Sequence, residues 1–451
     1  MPRVQLLFIL LLTLLAAPAE GAEFIRVDLR EKRMSADVDG WGLERTLTRI
    51  VTMTGWEVYI EPDTGLTRPA SEKFKNVPVG RALARLLPGI NFSFVSSSTG
   101  ATRLLLFTTS AGKATKAMKI KTSRLKKQIV VQLKPNSKRS IDEIAKDLGA
   151  KVVGRIKDLN TYRLEFPYDN AALLGRDALL RDDDVLGVDF NYTIEGPRGS
   201  ASINRDTATI SIRPGSGPAK DRTIVALIDT PVQANVANSG FLLDPISVTG
   251  QPRPAGNEPT HGTSMFQTLL RGLDAGTGTA TESNVRVLPI DIYGSAGETS
   301  TFNVAQGLAI AVEKGASIVN LSLGSDTDSP MLRSMIEQAS NLGVTIIASA
   351  GNEPITDNVY PAAYPDVVAV TAGNRTGDIA EYANRGDFVD VVGPGRSVVS
   401  HGEGNYVITG TSPASAFVAG VAAGLANTTG ADPAAIQAGL KLEFAPNPSG
   451  R

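Results

Sequence analysis

The chain contains no cysteine and, in 451 residues, only two histidines, His261 and His401. The first absence excludes a disulfide framework, a thiol nucleophile, a thiolate-bound metal and a cysteine-linked lipid. The second leaves too few imidazoles for a His-rich metal site and gives any imidazole base just two candidates. A net charge of −1 provides no cationic excess of the kind a nucleic-acid binder carries. Long hydrophobic runs are also missing. The longest, Leu6 to Leu12 with a resumption at Leu14, falls short of the ~18 residues that a spanning helix needs. With Arg3 before it and Ala17-Pro18-Ala19 after it, this stretch is expected to be a secretory signal peptide over residues 1–19. The remainder is then exported, to the periplasm or the extracellular medium, without spanning a membrane. The length implies several domains of roughly 100–200 residues each.

The near-zero charge is a sum of opposed parts. Lys113 to Lys157 holds 14 Lys+Arg and 3 Asp+Glu, whereas Arg222 to Leu442 holds 10 and 20. Such segments are either solvated independently or dock on each other. Residues 24–110 read as a small α+β module. One helix uses Leu43, Leu47, Ile50 and Val51 and stops at Gly55, and a second uses Val79, Leu83, Leu86 and Leu87. Strands are expected at Trp56 to Ile60, Asn91 to Val95 and Arg103 to Phe107. Thr54-Gly55-Trp56-Glu57-Val58 after the first helix, and Val77-Pro78-Val79-Gly80-Arg81-Ala82-Leu83 opening the second, resemble the short N-terminal domain of secretins and TonB-dependent receptors. That resemblance implies an envelope protein partner for residues 24–110.

Ala111 to Lys127 is small, polar and lysine-rich, and reads as a linker. Residues 127–195 follow a β-α-β-β-α-β order, with Ser140-Ile141-Asp142-Glu143 starting the first helix. This order is similar to the inhibitor-type propeptide of subtilisin-like proteases. Residues 196–221, with Gly-Pro-Arg-Gly-Ser and Pro-Gly-Ser-Gly-Pro, read as an exposed connector open to proteolysis.

From 222 to 445 buried strands alternate with helices. Strands are expected at Thr223 to Ile228, Val285 to Ile292, Ser317 to Leu323, Val344 to Ser349 and Val367 to Thr371. The fold class is α/β, a three-layer parallel sheet with helices on both faces, preceded by two small α+β domains. Reactive groups should gather at the carboxyl ends of its strands. Asp229 follows such a strand, His261 opens a helix, and Ser412 lies beside Pro413 at a helix start. Each alone reads as an ordinary cap or turn residue. Together they supply an acid, a base and a hydroxyl, and a hydroxyl needs an adjacent, oriented base to attack.

Their order, with Val225-Ala226-Leu227-Ile228-Asp229-Thr230, His261-Gly262-Thr263, Ala348-Ser349-Ala350-Gly351-Asn352-Glu353 and Gly410-Thr411-Ser412-Pro413-Ala414-Ser415, resembles the subtilisin-like serine proteases. The resemblance implies an endopeptidase made as a precursor and processing itself, with a polypeptide substrate and its own propeptide as partners. It implies Ser412 as nucleophile, His261 as base, Asp229 as the group orienting the base, and Asn352 as oxyanion donor. Leu321, Ser322, Leu323 and Gly324, with Ser349, Ala350 and Gly351, are the expected substrate-binding segments. No cofactor is needed for this chemistry. A structural calcium ion, common in the family, finds no dense ligand loop; Asp326-Thr327-Asp328 reads as solvated. The chain departs from the family pattern at Ser264, Pro413, Ala416 and Phe417. His401, in Ser400-His401-Gly402-Glu403-Gly404, is expected at the surface of a hairpin. The competing expectation is a catalytically silent scaffold on the same fold.

Overall fold

In Arg33–Trp41 the inward positions Met34, Ala36 and Val38 alternate with partly open ones, as a strand buried on one face requires. The computed structural model describes residues 24–446 apart from 30, 63–68, 97–101, 119, 121–122, 198, 204–209, 251–255 and 375, so the expected leader at 1–19 lies outside the described residues. Two units result, one ending at Asn191 and one beginning at Tyr192. Among the described residues no helix is long and apolar enough to cross a membrane.

In the first unit, Arg33–Trp41 lies between Phe24–Asp28 and Ala70–Pro78 in an antiparallel sheet. A second sheet contains Asn91–Ser96, Thr102–Phe107, Glu57–Ile60 and Lys116–Ala117. The helices Leu43–Thr54 and Val79–Leu86 lie where the apolar spacing put them, and the first is closed by Gly55 at φ 68°. Next comes the β-α-β-β-α-β set, from Arg124–Leu133 to Val185–Glu195. Ser140 and Glu143 form a reciprocal capping box at its first helix, as their spacing predicts. The linker expected over 111–127 is instead structured at both ends. Lys116–Ala117 joins the module's sheet, and Arg124 is buried against Asp169 at 2.6 Å. A buried guanidinium needs a carboxylate partner, and this one lies 45 residues away, beyond the reach of local pattern reading.

The second unit is built on a seven-stranded sheet. Its strands are β1 (Thr223–Asp229), β2 (Ile246–Ser247), β3 (Val285–Asp291), β4 (Ile318–Leu321), β5 (Thr345–Ser349), β6 (Val367–Gly373) and β7 (Val391–Pro394). All pair in parallel, in the order β2-β3-β1-β4-β5-β6-β7. A hairpin of β8 (Arg396–His401) and β9 (Gly404–Thr409) follows. The helices are α1 (His261–Gly276), α2 (Thr301–Glu313), α3 (Pro330–Asn341), α4 (Thr411–Thr429) and α5 (Pro433–Glu443).

Period-two alternation sorts the strand residues between faces. Val225 and Leu227 share one core with Met265, Leu269, Val418 and Val421 of α1 and α4. Ile228, Ile290 and Ile292 crowd Gly307 of α2. Helices therefore cover both faces, as the near-continuous apolar strands imply. Where α1 meets α4 the contact is between backbones. A Cβ on Gly272 would lie 1.9 Å from Phe417 O, and one on Gly420 would lie 1.9 Å from Leu269 O.

The connector is not simply exposed. Ala201–Ile203 pairs antiparallel with β9, Arg213–Pro214 runs parallel to Glu282–Ser283, and Asp274 of α1 accepts the N–H groups of Ser211 and Ile212.

Candidate active site

Asp229 ends β1, the strand at which the sheet order reverses, and is buried at 2% exposure. His261 is the first residue of α1, whose N-cap Thr260 accepts the Thr263 N–H at 3.1 Å. The imidazole Nδ1 stands 2.8 and 2.9 Å from the two Asp229 oxygens. An ionised carboxylate only accepts, so Nδ1 carries the hydrogen and Nε2 of the neutral ring keeps its lone pair.

Ser412 lies in the first turn of α4. That helix begins at Thr411, so Pro413 is the third helical residue rather than the first. Its missing N–H is still one that the first turn leaves unpaired. Gly410 before it has φ 152° and ψ −177°, a conformation open essentially to glycine alone. The Ser412 hydroxyl donates to Ser322 O at 3.4 Å, and the Ser322 hydroxyl donates to Ser412 O at 3.1 Å. Behind them Asn320 donates to Ser322 Oγ and accepts from Ser415, all three buried. Ser412 is thus hydrogen-bonded to Ser322 and not to His261; such contacts in reacting sets tighten when the reacting group arrives.

Asn352 follows β5. Its Oδ1 accepts the Thr411 N–H at 2.8 Å and the Thr411 hydroxyl at 3.2 Å. This fixes the amide orientation and leaves Nδ2 as the donor, next to Gly410. Leu321 ends β4, with Ser322 and Leu323 buried and Gly324 after them. Ser349 ends β5, and the Ala350 N–H is committed to Val370 O at 2.9 Å. Gly351, at φ 109°, donates to Thr411 Oγ1 at 3.1 Å.

Two residues not singled out from sequence hold this loop. Thr411 lies inside the Ser412 motif and could have been found there. Asn384, buried at 1% exposure, accepts the Glu353 N–H at 2.8 Å and donates its own N–H to Gly351 O, yet no local pattern marks it. Tyr293 also belongs here. Burial, reinforced by the Asp229 charge, pushes its phenol well above the usual value, so it keeps its proton and donates a hydrogen bond to Glu195 O at 3.3 Å.

His401 corrects an expectation. It sits at the hairpin turn as read, but it is buried at 6% exposure, because Gln233 from the loop after β1 covers it with an amide nitrogen 3.3 Å from Nε2. In the Asp326 loop, Asp328 pairs with Arg333. Among the described residues no three His, Cys, Asp or Glu side chains gather as a metal site.

Comparison with known proteins gives two matching family profiles, described as "Subtilase family" over residues 220–441 and "Fervidolysin N-terminal prodomain" over residues 111–185. Residues 24–110 lie outside both matches. A thermophilic serine proteinase of Bacillus sp. (strain AK1) is 35% identical over 170 residues, which is 37% of this chain and 42% of that protein. Subtilisin Savinase of Lederbergia lenta is 30% identical over 207 residues, 44% of this chain and 77% of that one. Fervidolysin of Fervidobacterium pennivorans has a similar fold, with a TM-score of 0.50 at 22% identity, covering 67% of this chain and 55% of that one. The chain spans about half the length of several curated relatives it matches.

Proposed function

The chain belongs to the subtilase family, and from that premise we propose that it is an exported serine endopeptidase, made as a precursor and cut by its own active site. The observation that carries this reading is the Asp229–His261 pair at 2.8 Å, at the start of a helix packed against the one that presents Ser412.

In the proposed reaction His261 Nε2 takes the Ser412 hydroxyl proton as Oγ bonds to the scissile carbonyl carbon. Asp229 holds the Nδ1–H tautomer and stabilises the imidazolium that forms. The developing oxyanion is received by Asn352 Nδ2 and the Ser412 N–H at the positive end of α4. His261 then protonates the leaving amine, the C–N bond breaks, and an ester on Ser412 remains. Water, deprotonated by His261, attacks that ester; the C–Oγ bond breaks, His261 returns the proton to Ser412 Oγ, and the acid is released. Leu321 to Gly324 and Ser349 to Gly351 frame the extended substrate. These groups account for every proton moved, so the reading calls for no cofactor.

Two pairings support self-processing. Thr193, Ile194 and Glu195 lie antiparallel to Ser300, Thr299 and Glu298, and Ala201 to Ile203 lies along β9, the strand that leads into Ser412. The chain is thus held on either side of residues 196–200, the stretch proposed to be cut. The basic stretch from Lys113 to Lys157 and the acidic domain after Arg222 favour a propeptide that stays on as a salt-sensitive inhibitor. Residues 24–110 are proposed to meet an envelope partner, and the processed enzyme to work in the periplasm or outside the cell.

The test compares wild-type and Ser412→Ala chains on a gel and against a fluorogenic peptide. A shortened, active wild type beside an intact, inactive variant is expected. Two equally long and equally inactive chains would sink the protease reading in favour of a silent scaffold.

A further inference from the structure

Gln233 lies in the loop that follows β1, four residues past Asp229, and both ends of its amide are engaged. Oε1 accepts the Thr260 N–H at 3.0 Å. Nε2 faces Gly256 O at 3.3 Å, Glu258 O at 3.2 Å and His401 Nε2 at 3.3 Å. A backbone N–H can only donate and a carbonyl can only accept, so these partners settle the amide orientation. The His401 nitrogen opposite Nε2 must then be an acceptor, and its ring hydrogen sits on Nδ1. That Nδ1 is buried and has no hydrogen-bond partner among the described residues.

What the amide holds is the turn that begins with His261. Thr230 Oγ1 accepts the Gly262 N–H at 2.8 Å, the Thr260 hydroxyl donates to Pro231 O at 2.6 Å, and the Gln233 N–H donates to Thr263 Oγ1 at 2.8 Å. The Gln233 side chain adds the bond to Thr260 N–H, one residue before His261. The loop leaving the acid is thereby stitched to the turn presenting the base. We infer that Gln233 is a positioning residue for the Asp229–His261 pair, held in place by His401. The inference rests on the reading of His261 as the base.

Steady-state hydrolysis of a peptide amide by the full chain, with thermal melting of each variant, tests it. Gln233→Ala is expected to lower kcat about 10- to 100-fold with KM within about twofold, because a misplacement near 1 Å costs on the order of 10² in rate without touching substrate. Gln233→Glu keeps an oxygen for the Thr260 N–H and lets His401 shift its hydrogen to Nε2 and donate, but turns its second oxygen toward the Gly256 and Glu258 carbonyls, which only accept. This variant should lose less kcat than the alanine. His401→Phe removes the support but not the Thr260 bond, and should lower kcat about two- to fivefold. If Gln233→Ala does not fold, the other two variants decide: an unchanged kcat in His401→Phe overturns the inference. So does an unchanged kcat in a folded Gln233→Ala, a loss carried by KM, or a Gln233→Glu no better than the alanine. A wild type no more active than Ser412→Ala would instead sink the protease reading itself.

Discussion

In the first unit Arg124, Arg139, Arg155 and Arg181 each meet an aspartate, and Arg124 and Arg176 also lie over the Phe190 ring, whereas the second unit joins its two buried helices through Gly272, Gly276, Gly420 and Gly424. The first kind of contact is electrostatic and mostly partly exposed, so solution conditions reach it. The second is steric and dry, so salt and pH have nothing there to act on. The difference suits the proposed roles, an inhibitor that has to let go and an enzyme that has to last.

Segment-resolved hydrogen exchange on the full-length Ser412→Ala chain is the common measurement for breaking or sharpening this contrast. The largest effect is expected from Asp169→Ala, which strands the buried Arg124 guanidinium and should cost about 3 kcal/mol, all in the first unit. Equal loss of protection in the second unit would break the contrast. Gly272→Ala should do the reverse, at about 1–3 kcal/mol, because its methyl group meets the Phe417 carbonyl; loss confined to the first unit would refute it. The smallest effect is acid. Burial alone would raise the Asp169 carboxyl, but the hydrogen bonds and charge of Arg124 outweigh it and hold the group below its usual range. The Thr109 hydroxyl and N–H, with Thr108, hold Glu61 down at about 2. Both groups are depressed, so their stabilisation is complete above the unfolded values near 4 and fades as pH falls through the folded ones. Asp177, raised by burial, acts in the opposite sense and blunts the loss. The first unit should therefore lose protection between about pH 4.5 and 2. Unchanged protection over that window would overturn the assignment.

Legibility in the sequence followed the range of the interactions. The strands and helices around Asp229, His261, Ser412 and Asn352 were readable because their signals are local: apolar runs, small and Gly-containing motifs, a glycine before a helix. Val391–Pro394 went unseen as a sheet strand, since four residues carry too little pattern. His401 looked exposed because a short polar hairpin usually is, while its cover comes from Gln233, 168 residues away. The connector looked loose because its Gly and Pro content says nothing about pairing with β9, a contact made across 200 residues of chain. Arg124 read as linker for the same reason.

The glycine contact between α1 and α4 also sets a tolerance. Side chains have rotamers and can trade volume with their neighbours; a carbonyl oxygen pressed on a Cα has neither freedom. The spacing of the two helices that begin at His261 and Thr411 is therefore gauged by the thickness of the peptide backbone itself. Substitution at those glycines can only widen it, and no compensating change in a neighbouring side chain can narrow it again.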